Sequence, residues 1–435
     1  MGQISDENVI PSFSRLAIAN VLSNITIPLT SFSNLAFLGH LNNTNHLTGV
    51  TLVLALFDSL FYSCSFLRIS TTSLTAQAMD GDRTQNLSVI LLRNGAIALI
   101  ISLIVLSLKI PLEQVCFSFL KTAPEIESIA RTYFEIRIWA VPATLLNFVI
   151  IGWLLGQGRS DLVLWITAAI NSLKIGLDYL LILKFGLASV GAGLAVAIHQ
   201  YLLLGCALIV VGSILPFKAL YLKNTDAFKL GKLHSLLTLN GNIFVRSLVK
   251  MIVLLVFTKV GTALGSKVLT ENALVFEVIL LVLFLLEGLG YAVETLTGFF
   301  EGKGRLEEIF PQLRWAFLSS LCAGVGIAAI VWIFPQQVFS LLTNRTELLQ
   351  DMNQYTPWLA MILGLSSISS IQESYFFGRT AGHVVRNANL SSAFLGFLPL
   401  AIAALWLQNN QILWLAIAVS GLVQTVILAI GFRAN

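Results

Sequence analysis

The chain has 435 residues, of which 56% are hydrophobic and only 11% charged, with a mean hydropathy of +0.84 and a formal net charge of +4. A soluble domain of this size carries about a quarter charged residues, so the composition excludes a soluble globular protein and predicts a polytopic membrane protein. So small a charge excess gives no reason to expect nucleic acid as a partner, and the four dispersed cysteines (Cys64, Cys116, Cys206, Cys322) show no paired spacing for a disulfide framework or metal site.

The first apolar span, Leu16 to Leu38, is long enough to cross a hydrocarbon core as a helix and contains no charge. Its Asn24, Pro28, Ser31 and Asn34 fall at helical spacing. Polar groups and a proline inside lipid face a protein interior or cavity, although the same spacing suits a helix–helix interface held by small polar residues. Met1 to Ile10 is polar and acidic, unlike a cleavable signal.

Further spans are predicted at about 50–72, 87–108, 133–155, 162–183, 187–211, 243–264, 268–292, 315–334, 358–377, 390–407 and 412–432, which with the first makes six on each side of a polar segment. That segment, Pro216–Asn240 with Lys218, Lys223, Lys229 and Lys232, reads as an inter-lobe linker. It divides the chain into an N-lobe (1–215), a linker (216–240) and a C-lobe (241–435). Lys109 to Arg131 reads as a long connection with a short helix around Glu125–Ile129. The Lys/Arg bias of the loops is roughly two to one in favour of a cytoplasmic N-terminus, with both termini inside.

An internal repeat accompanies this count. One shift of 222 residues lays Leu74, Thr75 and Arg83 on Leu296, Thr297 and Arg305, Tyr133 on Tyr355 and Gly156 on Gly378. Six spans per half make the repeats parallel, and a two-lobed transporter with a central cavity follows.

Charges inside spans cost about 2.5–3.5 kcal/mol each at a helix centre by insertion scales, so they mark candidate sites. NSLKIGLD places Asn171, Lys174 and Asp178 on one helical face, with Lys174 and Asp178 one turn apart. That pair is either a structural ion pair or a titratable pair facing the lobe cavity. Span eight carries Glu277, Glu287 and Glu294, with Tyr291 between the last two on their face. Span seven adds Lys250 and Lys259, and span ten ends with Glu373 near Tyr375. Lys250 and Glu277 lie at roughly comparable depth on consecutive antiparallel spans, a placement that suits a cross-helix pair, whether purely structural or functional. Arg137, with Glu135 and Glu127 nearby, reads as an interfacial anchor. An enzyme is not expected. His40, His46, His199, His234 and His383 lack ligand spacing, and no phosphate-binding loop or nucleophile–base set is present.

The stretches RLAIANVLSNITIPLTSFSNLAFLGHL, FLRISTTSLTAQA, YFEIRIWAVPATLLNFVIIGWLLGQGRS, LDYLLILKFGLASVGAGLAVAI and LEGLGYAVETLTG together resemble the MATE (multidrug and toxic compound extrusion) transporters, in particular their DinF-like branch. The resemblance covers roughly residues 15–430. It implies an all-α membrane fold of twelve helices in two six-helix lobes, related by pseudo-two-fold symmetry around a V-shaped cavity. It also implies a monomeric antiporter of a bacterial inner membrane, driven by protons or sodium without a cofactor, that exports amphipathic, often cationic, small molecules. Two positions depart from the family pattern. Asn34 stands where the family has an aspartate thought to carry the coupling ion, and Lys174 replaces an asparagine one turn before the retained Asp178. The N-lobe site is thereby two charges more positive. The Lys174 ammonium then either takes the place of a coupling ion or titrates itself. Glu287, Glu294 and Glu373 match family acids, so coupling is expected to rest on Glu287 and Glu373 more than on the N-lobe. A lipid or lipid-linked precursor flippase and a transport-inactive scaffold remain alternatives.

Overall fold

The computed structural model describes residues 12–41, 43–79, 83–120, 123–215, 230–342 and 346–434. Every regular element among them is helical. In chain order they are α1 (Phe13–Gly39), α2 (Asn45–Ser63), α3 (Phe66–Gln77), α4 (Arg83–Ser107), α5 (Lys109–Leu120), α6 (Pro124–Arg137), α7 (Val141–Gly156), α8 (Ser160–Asp178) and α9 (Ala188–Ile214). Then follow α10 (Leu230–Leu264), α11 (Ser266–Gly302), α12 (Phe310–Ile333), α13 (Pro335–Ser340), α14 (Thr346–Asp351), α15 (Thr356–Gly378), α16 (Gly382–Ser391), α17 (Leu398–Leu407) and α18 (Asn410–Ala434).

Ten of these helices or near-continuous helix pairs are long and apolar enough to cross a membrane. Spans seven and ten of the sequence are present as α10 and α15, which completes the predicted twelve. α15 carries a run of serines followed by Gln372 and Glu373. Prolines 124, 142, 311, 335, 357 and 399 each sit in the first turn of a helix, where the missing N–H has no intrahelical partner to lose. Pro28 instead lies inside α1 and frees the carbonyl of Asn24. Two π-helical turns interrupt regular helix, Tyr179–Lys184 directly after Asp178 and Ser392–Phe397 just before Pro399.

By its contacts the chain falls into two compact units. One comprises residues up to Asn24 together with Thr238–Asn435, and the other Ile25–Leu237. In the first, Val21 backs onto Gly288 with no room for a Cβ, and the Asn24 amide donates to the Phe284 carbonyl at 2.6 Å. These contacts explain why the opening turns of α1 group with the later helices, a division that the position of the polar segment did not foretell. Of the stretch 216–240, residues 216–229 lie outside the described residues, while Leu230 already opens α10, so the part from Leu230 to Asn240 is helix. The expected loop 109–131 is likewise mostly helical, as α5 and the start of α6, and Glu125–Ile129 belongs to the helix that runs on into span four.

The repeat is visible in the packing. Gly156 of α7 lies against the Thr72 carbonyl and Thr75 of α3, where an added Cβ would sit 2.5 Å from that oxygen. Gly378 of α15 lies in the same way against the Glu294 carbonyl and Thr297 of α11, at 2.6 Å. One turn earlier in each unit a second small residue allows the same crossing, Gly152 against the Arg68 carbonyl and Gly290 against Ser374. Close approach through small residues is how helices associate in lipid, where no hydrophobic drive separates protein from tails. The α3 hydroxyls support it: Thr71, Thr72 and Ser73 bond carbonyls one turn back on their own helix, at 2.5, 2.9 and 2.9 Å, and so need no partner across the interface.

Candidate functional site

In the unit 25–237, α8 carries a buried polar face toward α1. Lys174 donates from Nζ to Asp178 Oδ2 at 2.7 Å and to the Thr30 carbonyl at 2.9 Å. Ser33 donates to the same Asp178 oxygen at 2.9 Å. Asp178 is fully buried and Lys174 is 5% exposed, yet the second carboxylate oxygen, Oδ1, has no hydrogen-bond partner among the described residues. Asn34, 2% exposed, also leaves its amide oxygen without one. One turn toward the start of α8, Asn171 donates to Thr26 Oγ1 at 2.6 Å and meets Nε2 of the buried His199 on α9 at 2.9 Å. The expected pair therefore forms, and the predicted residues Asn171, Lys174 and Asp178 do share one face.

In the other unit the centre is Glu373 of α15, 3% exposed. Its Oε2 accepts from Arg246 Nη2 at 2.5 Å and from Lys250 Nζ at 3.1 Å, both on α10. Its Oε1 accepts from Asn389 of α16 at 2.8 Å and from Gln424 of α18 at 2.7 Å. Four donors from three helices thus saturate one carboxylate. Arg246 also lies over the Phe377 ring, 5.6 Å from its centroid. Glu287 is exposed on α11 and receives the Tyr291 hydroxyl at 3.3 Å, and its charge acts on Lys250. Glu294 is buried.

Two expectations are corrected. Lys250 does not pair with Glu277: its ammonium goes to Glu373, and Glu277 stands exposed about three turns into the 37-residue α11. Equal depth estimated from span boundaries failed because α10 and α11, at 35 and 37 residues, run well beyond the apolar windows used to set it. Arg137 is not an interfacial anchor but is buried, 6% exposed, donating to the Tyr133 hydroxyl at 2.7 Å, with Asp58 Oδ1 at 3.4 Å and the Phe57 ring 5.1 Å away. A third polar network joins Glu271, Tyr355, Asn272, Asn410 and Trp414. Tyr355 donates to Glu271 at 2.6 Å, Asn272 and Asn410 exchange amide bonds at 2.9 and 2.8 Å, and Trp414 donates to Asn272 at 2.9 Å.

Comparison with known proteins decides the family. Its profile, described as MatE, matches residues 20–180 and again 242–402, two stretches offset by the same 222 residues as the internal repeat. The chain belongs to the MatE family. It is 29% identical over 406 residues to the DNA damage-inducible protein F of Escherichia coli, covering 93% of this chain and 88% of that one. It is 24% identical to the rabbit (Oryctolagus cuniculus) multidrug and toxin extrusion protein 1, over 97% of this chain and 74% of that one. Among solved structures, an outward-facing multidrug resistance MATE transporter of the MOP superfamily superposes with a TM-score of 0.87 at 16% identity, covering 97% and 94% of the two chains. A MOP-superfamily transporter from Pyrococcus furiosus, described as having a binding pocket of reversed polarity, superposes at 0.84 with 17% identity over 97% and 94%.

As a MatE protein the chain is a multi-pass membrane transporter rather than an enzyme. Among the described residues no group of three or more His, Cys, Asp or Glu is placed to hold a metal ion. Several members of the buried clusters escaped the sequence reading. Arg246, Asn389 and Gln424 reach Glu373 from 127, 16 and 51 residues away, beyond any local pattern. Asp58 carried a usable signal, as a lone carboxylate inside span two. His199 has no metal-ligand spacing in the sequence, and its contact with Asn171 on another helix left no local pattern.

Proposed function

We propose that this MatE protein is a secondary antiporter that exports amphipathic small molecules against protons, with the exchange seated at Asp178 in the unit 25–237. The observation that carries the reading is the asymmetry of Asp178: fully buried, held by Lys174 and Ser33 on Oδ2, and without a partner on Oδ1. A buried carboxylate with a free oxygen can take up and release a proton without first breaking a hydrogen bond. Glu373 has no such position, since each oxygen already accepts two donors. The geometry therefore favours Asp178 over Glu373 for coupling, against the expectation from the family acids. Lys174 Nζ fills the place between Asp178 Oδ2 and the Thr30 carbonyl that a sodium ion would need, whereas a proton needs no coordination shell. Exposed Glu287, with Tyr291, and Glu277 supply accessible negative charge for a cationic substrate. The relationship to the E. coli protein supports a bacterial inner membrane, and the loop charges support cytoplasmic termini.

A second reading is favoured by the loss of the acid at Asn34 and the burial of both Lys174 and Arg137: an amphiphile with an anionic head, such as a lipid-linked phosphate. One experiment tests both. Purified protein in liposomes is given a lipophilic fluorescent cation or an anionic lipid analogue under an imposed proton gradient, then under a sodium gradient. Proton-driven movement of the cation supports the first reading. Movement of the anionic analogue alone supports the second, and sodium-driven transport refutes the assignment to Asp178 as argued here.

A further inference from the structure

His199 lies in the middle of α9, a 27-residue apolar helix, and is 7% exposed. Its Nε2 is 2.9 Å from the Asn171 amide oxygen, and the Asn171 amide nitrogen is committed to Thr26 Oγ1 at 2.6 Å. With its nitrogen so used, Asn171 presents an acceptor to the ring, which puts the imidazole proton on Nε2. Nδ1 has no hydrogen-bond partner among the described residues and is the atom left to accept a second proton.

The titratable groups on the elements packed against α9 include Lys174 and Asp178 of α8, Arg137 and Tyr133 of α6, Asp58 and His46 of α2 and Lys184 of the π-turn, with His46 held at Ser189, ten residues before His199, while α7 brings none. The Lys174 charge acts on His199 directly. Three bonds join α8 to α1, Asn171 to Thr26, Lys174 to the Thr30 carbonyl and Ser33 to Asp178, and His199 touches the donor of the first.

We propose that His199 is a proton-binding group of the unit 25–237 and that its charge controls the hold of α8 on α1. This rests on the antiport reading above and adds the residue through which pH acts. The step is protonation alone: Nδ1 takes a proton from water, Nε2 keeps its own, and no covalent bond breaks. The resulting imidazolium puts a second cation beside Lys174. Repulsion then drives the ammonium from the Thr30 carbonyl toward the partnerless Oδ1 of Asp178, and the clasp on α1 loosens. Loss of the proton restores it.

The test uses full-length protein, wild type beside His199→Gln and Asn171→Asp. Glutamine can keep the donor toward Asn171 but cannot titrate. In detergent, with no substrate, proton uptake is measured from about pH 8 to about pH 4, and His199→Gln should bind about one proton fewer per molecule. The other four histidines are common to both proteins and cancel. In liposomes, the pH profile of cation transport should flatten in His199→Gln. It should move upward by about one pH unit or more in Asn171→Asp, where a carboxylate would stabilise the imidazolium. Equal proton uptake by wild type and His199→Gln overturns the proposal. So does an unchanged pH profile in both variants. If wild type moves no cation under any gradient, the antiport reading fails, and the substrate-free titration still decides whether His199 binds the proton. Should His199→Gln fail to fold, the direction of the Asn171→Asp shift decides: upward supports the proposal, and no shift or a downward one overturns it.

Discussion

Asp178 and Glu373 are both buried carboxylates facing cations from their own unit, and their surroundings differ in one decisive respect. Glu373 accepts four donors and meets two cations, so its charge is over-compensated and every lone-pair direction is used. Asp178 meets one cation on the same helix and a hydroxyl from α1, and keeps Oδ1 open. A saturated carboxylate fixes helices; a half-satisfied one can exchange. Two halves with a common packing scheme, seen in the paired crossings at Gly156 and Gly378, thus hold one saturated and one half-satisfied carboxylate.

The comparison breaks first at Glu373. Its replacement by Gln strands Arg246 and Lys250 beside a neutral amide, which should cost about 3–5 kcal/mol, the range for uncompensating a buried pair. Thermal unfolding in detergent reads this as a large drop in midpoint, and a midpoint within a degree or two of wild type would show that Glu373 is no clamp. Asn389→Ala and Gln424→Ala each remove one donor from Oε1 and should cost about 1.5–3 kcal/mol by the same assay, as hydrogen bonds to a charged group do. If both are silent, the saturation has no energetic meaning. The smallest effect is expected at Asp58. Its side chain is 70% exposed and 3.4 Å from Arg137, so Asp58→Asn should shift stability by about 1 kcal/mol or less. A larger loss would make Arg137, rather than Lys174, the dominant buried cation of that unit.

What could be read in the sequence follows the reach of its signals. The twelve helices were legible because hydropathy acts over windows as long as a span, and the Lys174–Asp178 pair because i and i+4 are neighbours on any helix. The repeat was legible through residues that packing fixes: Gly156 and Gly378 touch carbonyls, and Tyr133 and Tyr355 are almost wholly buried. The ring of donors around Glu373 was not legible, because three of the four elements that form it are brought together only by tertiary packing. The false Lys250–Glu277 pair has the same origin, since depth along two long helices cannot be set to within a turn from their apolar windows. Asn34 and Lys174 stood out first by helical spacing and by charge within a span, and departure from a family pattern sharpened both. The structure adds that both are buried, and that among the described residues Asn34 and Asp178 each keep an oxygen without a partner.

The central claim is that exchange resides at Asp178 and not at Glu373. It is tested most directly by transport of a lipophilic fluorescent cation into liposomes under a proton gradient, comparing Asp178→Asn with Glu373→Gln and normalising each rate to the amount of folded protein. The account predicts that Asp178→Asn falls to the rate seen without a gradient, while folded Glu373→Gln still responds to the gradient. A gradient response that survives Asp178→Asn and vanishes in Glu373→Gln would contradict it.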